Sequence, residues 1–125
     1  MPARKMIKTS MQETIFHKMA KGEIVPNDVV YEDEQVLAFR DIHPVAPVHI
    51  IIIPKKEITS VAGMVEEDKE ILGHILWVAH LIAEKEGIAE SGYRVVTNSG
   101  EDSTREVEYL HIHLIGGKRL GSKIG

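Results

Sequence analysis

The stretch Tyr109-Leu110-His111-Ile112-His113-Leu114-Ile115-Gly116-Gly117 holds the residues best able to do chemistry. Leu110, Ile112 and Leu114 alternate with Tyr109, His111 and His113, and alternation with period two predicts a strand over residues 107–115. Successive strand side chains point to opposite faces. One face is therefore aliphatic, and the other carries a tyrosine and two imidazoles about 6–7 Å apart. Imidazole is the side chain best suited to acid, base or nucleophilic work near neutral pH. Two histidines at this spacing also arise by chance, and a His-x-His pair can hold zinc when a third ligand comes from elsewhere. With no Cys in the chain, a closed zinc site has only His and carboxylates to draw on. Context favours a site. Gly116-Gly117 follows the strand at once, and an upstream strand over 93–98 leads into a polar, turn-rich loop over 99–106.

The elements that position these residues read as α+β. Thr9 or Ser10 is placed to cap a helix running to about Lys21, with Ile15, Phe16 and Met19 on one face. Residues 28–32 and 35–41 read as a hairpin around Asp33-Glu34. The unbroken apolar run 48–53 reads as a strand buried on both faces, ended by Pro54. One helical turn is expected over 58–62 and a long helix over 66–86, with an acidic first turn that suits the helix dipole. The apolar side of the long helix is broad, with Trp77 beside it and His74 and His80 flanking it. That width fits either packing on the sheet, with Trp77 partly buried, or a face that meets a second copy. Residues 116–125 carry no strong pattern.

Composition fits a small globular enzyme. The 125 residues are 43% hydrophobic and 27% charged, enough for one core and one domain. A net charge of −4 argues against a nucleic-acid footprint. The lack of cysteine excludes disulfides and fits a reducing compartment, so a cytoplasmic location is expected. No apolar run reaches membrane-spanning length. Arg4, Lys5 and Lys8 mark a basic start without the apolar stretch of a signal peptide, and residues 1–10 are expected to be a flexible tail before a domain over 11–125.

The histidine stretch resembles the signature of the histidine-triad (HIT) family of nucleotide hydrolases and transferases, His-x-His-x-His followed by apolar residues. It is most similar to the HINT branch, in which Gly-Gly follows the motif. Thr14-Ile15-Phe16, Gly22-Glu23-Ile24, Val30-Tyr31-Glu32-Asp33, Leu37-Ala38-Phe39-Arg40-Asp41-Ile42, Ala46-Pro47-Val48-His49, Ile53-Pro54-Lys55 and Gly92-Tyr93-Arg94-Val95-Val96 resemble that branch in the same order. There are departures. The first motif histidine is Tyr109, and the usual Gly-Gly-Gln upstream is replaced by Ser103-Thr104-Arg105-Glu106.

The resemblance implies a HIT-like fold: an antiparallel sheet of about five strands, one long and one short helix, and a homodimer meeting through the long helix and residues 93–98. It implies hydrolysis of the P–N bond of purine nucleoside phosphoramidates through a nucleotidyl-histidine on His111. His113 would contact phosphate oxygens, and His49 would join them and assist proton transfer. The substrate is an AMP- or GMP-like purine nucleotide. Asp41 would bind the ribose hydroxyls or serve only as a turn residue. Ile15, Phe16, Phe39 and Ile42 would wall the base, or belong to ordinary core, with Arg40 beside them. Asn98 would meet the sugar-phosphate region, with Tyr109 nearby. Arg105 falls where the family's Gln touches phosphate, and it reads equally as an exposed charge paired with Glu106 or Glu108. Ser103-Thr104 in place of glycines argues against a tight loop that needs positive φ. Zinc in some members uses positions that are Thr14, His17, His49 and Tyr109 here, so no metal and no cofactor is expected. Two other functions stay open. One is a nucleotide-binding module with weak or lost catalysis; the other, less favoured, is a dinucleoside polyphosphate hydrolase.

Overall fold

The computed structural model describes residues 13–104 and 107–124. The elements run α1 (Ile15–Ala20), β1 (Val29–Glu32), β2 (Val36–Arg40), β3 (Val48–Pro54), α2 (Lys69–Lys85), β4 (Tyr93–Val96) and β5 (Ile112–Gly116), with short 3-10 turns between some of them. The strands form one antiparallel sheet in the order β1-β2-β3-β5-β4. This is the α+β architecture expected. Among the described residues no helix is long and apolar enough to cross a membrane.

The β1–β2 hairpin turns on Asp33, whose Oδ1 accepts the amide N–H of Gln35 at 2.7 Å and of Val36 at 2.9 Å. Its Oδ2 accepts from the Tyr31 hydroxyl at 2.7 Å and lies 2.6 Å from His74 Nε2 on α2. Burial alone would raise the pKa of this carboxyl, but His74, Tyr31 and the two amides hold it well below the usual carboxylate range.

β3 is central and buried along its whole length, so both of its faces meet apolar layers. Val48, Ile50 and Ile52 face α2, whose Ile71, Ile75, Val78, Ala79, Ile82 and Ala83 recur at helical spacing. Ile51 and Ile53 face the other way, with Leu37 and Phe39, against Phe16 of α1 and Tyr109. Each aliphatic side chain so buried contributes about 1.5–3 kcal/mol.

Several boundaries differ from expectation. α1 is capped by Thr14, whose Oγ1 accepts the His17 N–H at 3.3 Å while its own N–H donates to His17 Nδ1 at 2.9 Å; Thr9 and Ser10 lie outside the described residues. β3 includes Pro54, and β4 stops at Val96. The turn expected at 58–62 falls at Val61–Gly63, and a 3-10 turn (Glu66–Asp68) precedes α2. β5 starts at Ile112, not Val107, because residues just before it bond elsewhere. Leu110 N–H donates to the Ile58 carbonyl at 2.7 Å, and Thr97 Oγ1 donates to the His111 carbonyl at 2.9 Å. The alternation of faces nevertheless continues, with Leu110 packed under α2 and Tyr109 on the opposite side. Trp77 is 56% exposed and stacks on His80 with ring centroids 5.0 Å apart, so it does not pack on the sheet.

Candidate active site

Three chain segments deliver three imidazoles to one face of the sheet. In the β3–β5 ladder, His49 lies opposite Ile115 and Ile51 opposite His113, so His49 and His113 are diagonal neighbours. His111 enters from the segment just before β5, and its ring lies 5.0 Å from that of His113.

The hydrogen bonds assign the protons. Val45 N–H donates to His49 Nδ1 at 3.2 Å. In the neutral ring the proton then sits on Nε2, which donates to His113 Nδ1 at 2.9 Å. His113 is left with its proton on Nε2. Asp41 supports the pair: its Oδ2 lies 3.4 Å from His49 Nε2, and its Oδ1 accepts the His43 N–H at 2.8 Å. Burial, and then the positive charge that His111 and His49 can carry, push the pKa of His113 down to about 4, against a smaller opposing pull from Asp41. At neutral pH it is an uncharged donor. On His111, Nδ1–H donates to the Tyr109 carbonyl at 2.7 Å. That bond fixes the ring and leaves the Nε2 lone pair unprotonated, as a nucleophile requires.

His111 and His113 line a cavity of about 750 Å3. Ile15, Phe16, Phe39, Asp41, Ile42 and Asn98 line it too, so the expected nucleoside wall is brought together. Ile42 is 80% exposed, which suits a wall with an open face better than ordinary core. Arg40 borders the cavity, but its guanidinium is tied to Glu86 at the end of α2 by bonds of 3.0 and 2.9 Å. His49 does not line this cavity. It sits behind His113, on a second groove.

Tyr109 is a correction to the expected set, because it does not line the cavity. It is 1% exposed, its ring meets those of Phe16 and His17 edge-on, and its hydroxyl donates to the Pro54 carbonyl at 2.6 Å. Burial, with Glu57 nearby, raises its pKa well above the ordinary phenol value. Arg105 lies outside the described residues. Thr104 lines the cavity in the left-handed conformation, φ +58°, so the loop takes its turn without the glycine. Sequence reasoning missed the segment from Ile24 to Asp28, which also lines the cavity. Its signal was Ile24-Val25 beside Pro26: apolar residues in a loop with no core to join.

The residues expected to mark a family zinc site do not fit one. His17 holds Thr14 and, through Nε2, Glu57 at 3.1 Å, and it packs on Tyr109, whose hydroxyl is committed to Pro54. His49 is engaged by Val45, His113 and Asp41. One imidazole and one carboxylate fall short of a four-ligand zinc set. Asp41, His49 and His113 bring ligand atoms within 4.8 Å of one another. The 2.9 Å between the two imidazole nitrogens is a hydrogen-bond distance, shorter than the roughly 3.3 Å that two nitrogens on one tetrahedral zinc would need.

A nucleophile-ready histidine, a neutral donor beside it and a walled cavity define a site of the histidine-triad class. The chain belongs to the HIT domain family, whose domain matches residues 22–120. It is 49% identical over 110 residues to the purine nucleoside phosphoramidase of Escherichia coli (strain K12), covering 88% of this chain and 92% of that one. It is 52% identical over 109 residues to a 14 kDa zinc-binding protein of Zea mays, covering 86% and 84%. The crystal structure of a HIT family hydrolase from Legionella pneumophila Philadelphia 1 superposes with a TM-score of 0.86 at 44% identity, over 90% of this chain and all of that one.

Proposed function

We propose that this protein is a hydrolase that splits the P–N bond of purine nucleoside phosphoramidates through a nucleotidyl-histidine on His111. The observation that carries this is the 2.7 Å bond from His111 Nδ1 to the Tyr109 carbonyl, which leaves Nε2 as a lone pair at the cavity wall. Asp41 takes the ribose hydroxyls, while Ile15, Phe16, Phe39 and Ile42 hold the base and Asn98 the sugar-phosphate. His111 Nε2 attacks phosphorus and forms an N–P bond as the substrate P–N bond breaks. The departing nitrogen takes a proton that the His49–His113 pair relays from solvent, so the pair is neutral before and after. His113 Nε2–H donates to a non-bridging oxygen. Water then attacks phosphorus, its released proton passes through the pair back to solvent, and His111 leaves as the neutral imidazole.

The relation to the Escherichia coli phosphoramidase supports the substrate class. The domain over 11–125 would act as a homodimer, with exposed Leu76, Trp77, Tyr93 and Val95 as the contact. The binding-module reading rests on loss of the first motif histidine, and it weakens once a backbone carbonyl, which any residue supplies, holds His111. The test is turnover of adenosine 5′-phosphoramidate by wild type and His111→Ala, with AMP binding measured alongside. Removing a covalent nucleophile is expected to lower turnover by about 10⁴–10⁶ with AMP binding kept. Binding without turnover in the wild type, across several leaving groups, would return the binding module.

A further inference from the structure

His113 and Asn98 are walls shared by two hollows. On one side lies the nucleoside cavity. On the other is a groove of about 470 Å3 that also takes in His49. Three cations line this groove, Arg94 from β4 and Lys118 and Arg119 from the segment after β5, and no carboxylate does. In a chain of net charge −4 that is a local reversal of sign. None of the three forms an ion pair among the described residues. Arg94 instead donates to the Gly121 carbonyl at 2.8 Å, which ties the segment bearing Lys118 and Arg119 along the groove.

The sheet register places these groups relative to the chemistry. Arg94 lies opposite Ile115 on β5, and Ile115 lies opposite His49 on β3. The row His49–Ile115–Arg94 crosses three strands on one face, so Arg94 is about two strand spacings, roughly 10 Å, from the histidine pair. In-line displacement requires the leaving group to depart on the side away from the nucleophile. With the nucleoside in the large cavity and phosphorus at His111, the groove beyond His113 is where a leaving group extends.

We propose that this groove is a leaving-group subsite selective for anionic leaving groups: amines that carry a carboxylate, or another compact anion, a few bonds from the departing nitrogen. This rests on the hydrolase reading above and narrows it. The nitrogen departs with its proton as before, and the anion stays seated on Arg94, Lys118 and Arg119 while the P–N bond breaks.

The test compares three substrates: adenosine 5′-phosphoramidate itself, its 4-aminobutyrate derivative and its 4-aminobutyramide derivative. The last two match in length and differ in charge. Wild type is expected to favour the acid over the amide in kcat/KM by on the order of 10-fold at low salt, what a few partly exposed ion pairs supply. The ratio should approach one in Lys118→Ala/Arg119→Ala, return in Lys118→Arg/Arg119→Lys, and shrink near 1 M salt, where screening acts within about 3 Å. A wild-type ratio at or below one overturns the subsite, and so does a 10-fold ratio that survives the double alanine variant. Hydrolysis of the unsubstituted phosphoramidate with neither derivative turned over also overturns it. No turnover of any of the three overturns the hydrolase reading instead.

Discussion

Tyr109→Phe separates what the tyrosine does for the fold from what its position does for catalysis. The ring is enclosed, with the Phe16 centroid 6.3 Å away and the His17 centroid 4.7 Å away, and phenylalanine keeps those contacts. What is lost is the hydroxyl, which donates to the Pro54 carbonyl at 2.6 Å and lies 3.3 Å from the Lys56 carbonyl. Leaving a buried carbonyl without its donor costs about 1–3 kcal/mol. At about 2.1 cal/mol/K per residue, the 125-residue chain has an unfolding entropy near 0.26 kcal/mol/K, so Tm should fall by roughly 4–11 °C. The Tyr109 carbonyl still receives His111 Nδ1–H, and the turnover rate on adenosine phosphoramidate should stay within about threefold of wild type. Calorimetry and initial rates on the same preparation read both quantities. If turnover instead drops by about two orders of magnitude while Tm stays put, the reasoning is refuted and the hydroxyl belongs in the chemistry.

Thr104, a β-branched residue at φ +58°, stores strain of about 1–2 kcal/mol, so Thr104→Gly should raise stability modestly, by up to about 1 kcal/mol in denaturant melts, after the added flexibility of the unfolded chain is offset. Gly117 has φ +89°, and a Cβ there would stand 3.0 Å from Pro47 Cβ; Gly117→Ala should destabilise by about 1–3 kcal/mol, read as a lower denaturant midpoint. His113 titrates near 4 when folded and near its ordinary 6.5 when unfolded, so between those pH values the unfolded chain binds the extra proton. Stability contributed by His113 should fall as pH drops from about 6.5 to about 4 and level off below, a slope that His113→Asn removes; an NMR midpoint at or above 6.5 contradicts this.

Much of the fold was legible because its signals are local. The run 48–53 reads as a strand buried on both sides, and it is the middle of the sheet. The α2 stripe repeats at helical spacing, and Asp33 marks its hairpin by accepting two amides of the turn. At the site, His111 and His113 stand out by alternation, while Phe39, Asp41 and Ile42 come forward only as a block resembling a family. The misses have tertiary causes. Alternation predicts which face a residue takes, not whether its strand is paired, so β5 reads too long at its start. Tyr109 shares its face with the histidines, yet α1 covers that end of the sheet, and the phenol is sealed under Phe16 and His17. Glu57 gives no sign of reaching His17, since the two lie 40 positions apart and meet only through folding. Thr104 defies the expectation of glycine because surrounding structure can hold a strained turn that propensity disfavours.

A tyrosine at 109 is compatible with the proposed chemistry because of how the position is built. Its main-chain carbonyl orients His111 and selects its tautomer, and any side chain leaves that carbonyl in place. The side chain points to the other end of the problem. It pins residue 109 between α1 and the end of β3, through Phe16, His17 and the Pro54 carbonyl. A carbonyl that must meet His111 Nδ1 at 2.7 Å benefits from being held so firmly. His17 serves the same end, linking α1 to Glu57 beyond β3 while packing on the phenol. The polar contacts of Thr14, His17, Glu57 and Tyr109 thus anchor α1, and α1 supplies Ile15 and Phe16 to the cavity wall. Cavity wall and His111 share one support, so loosening the cluster at His17 is expected to disturb the cavity wall and the aim of His111 together.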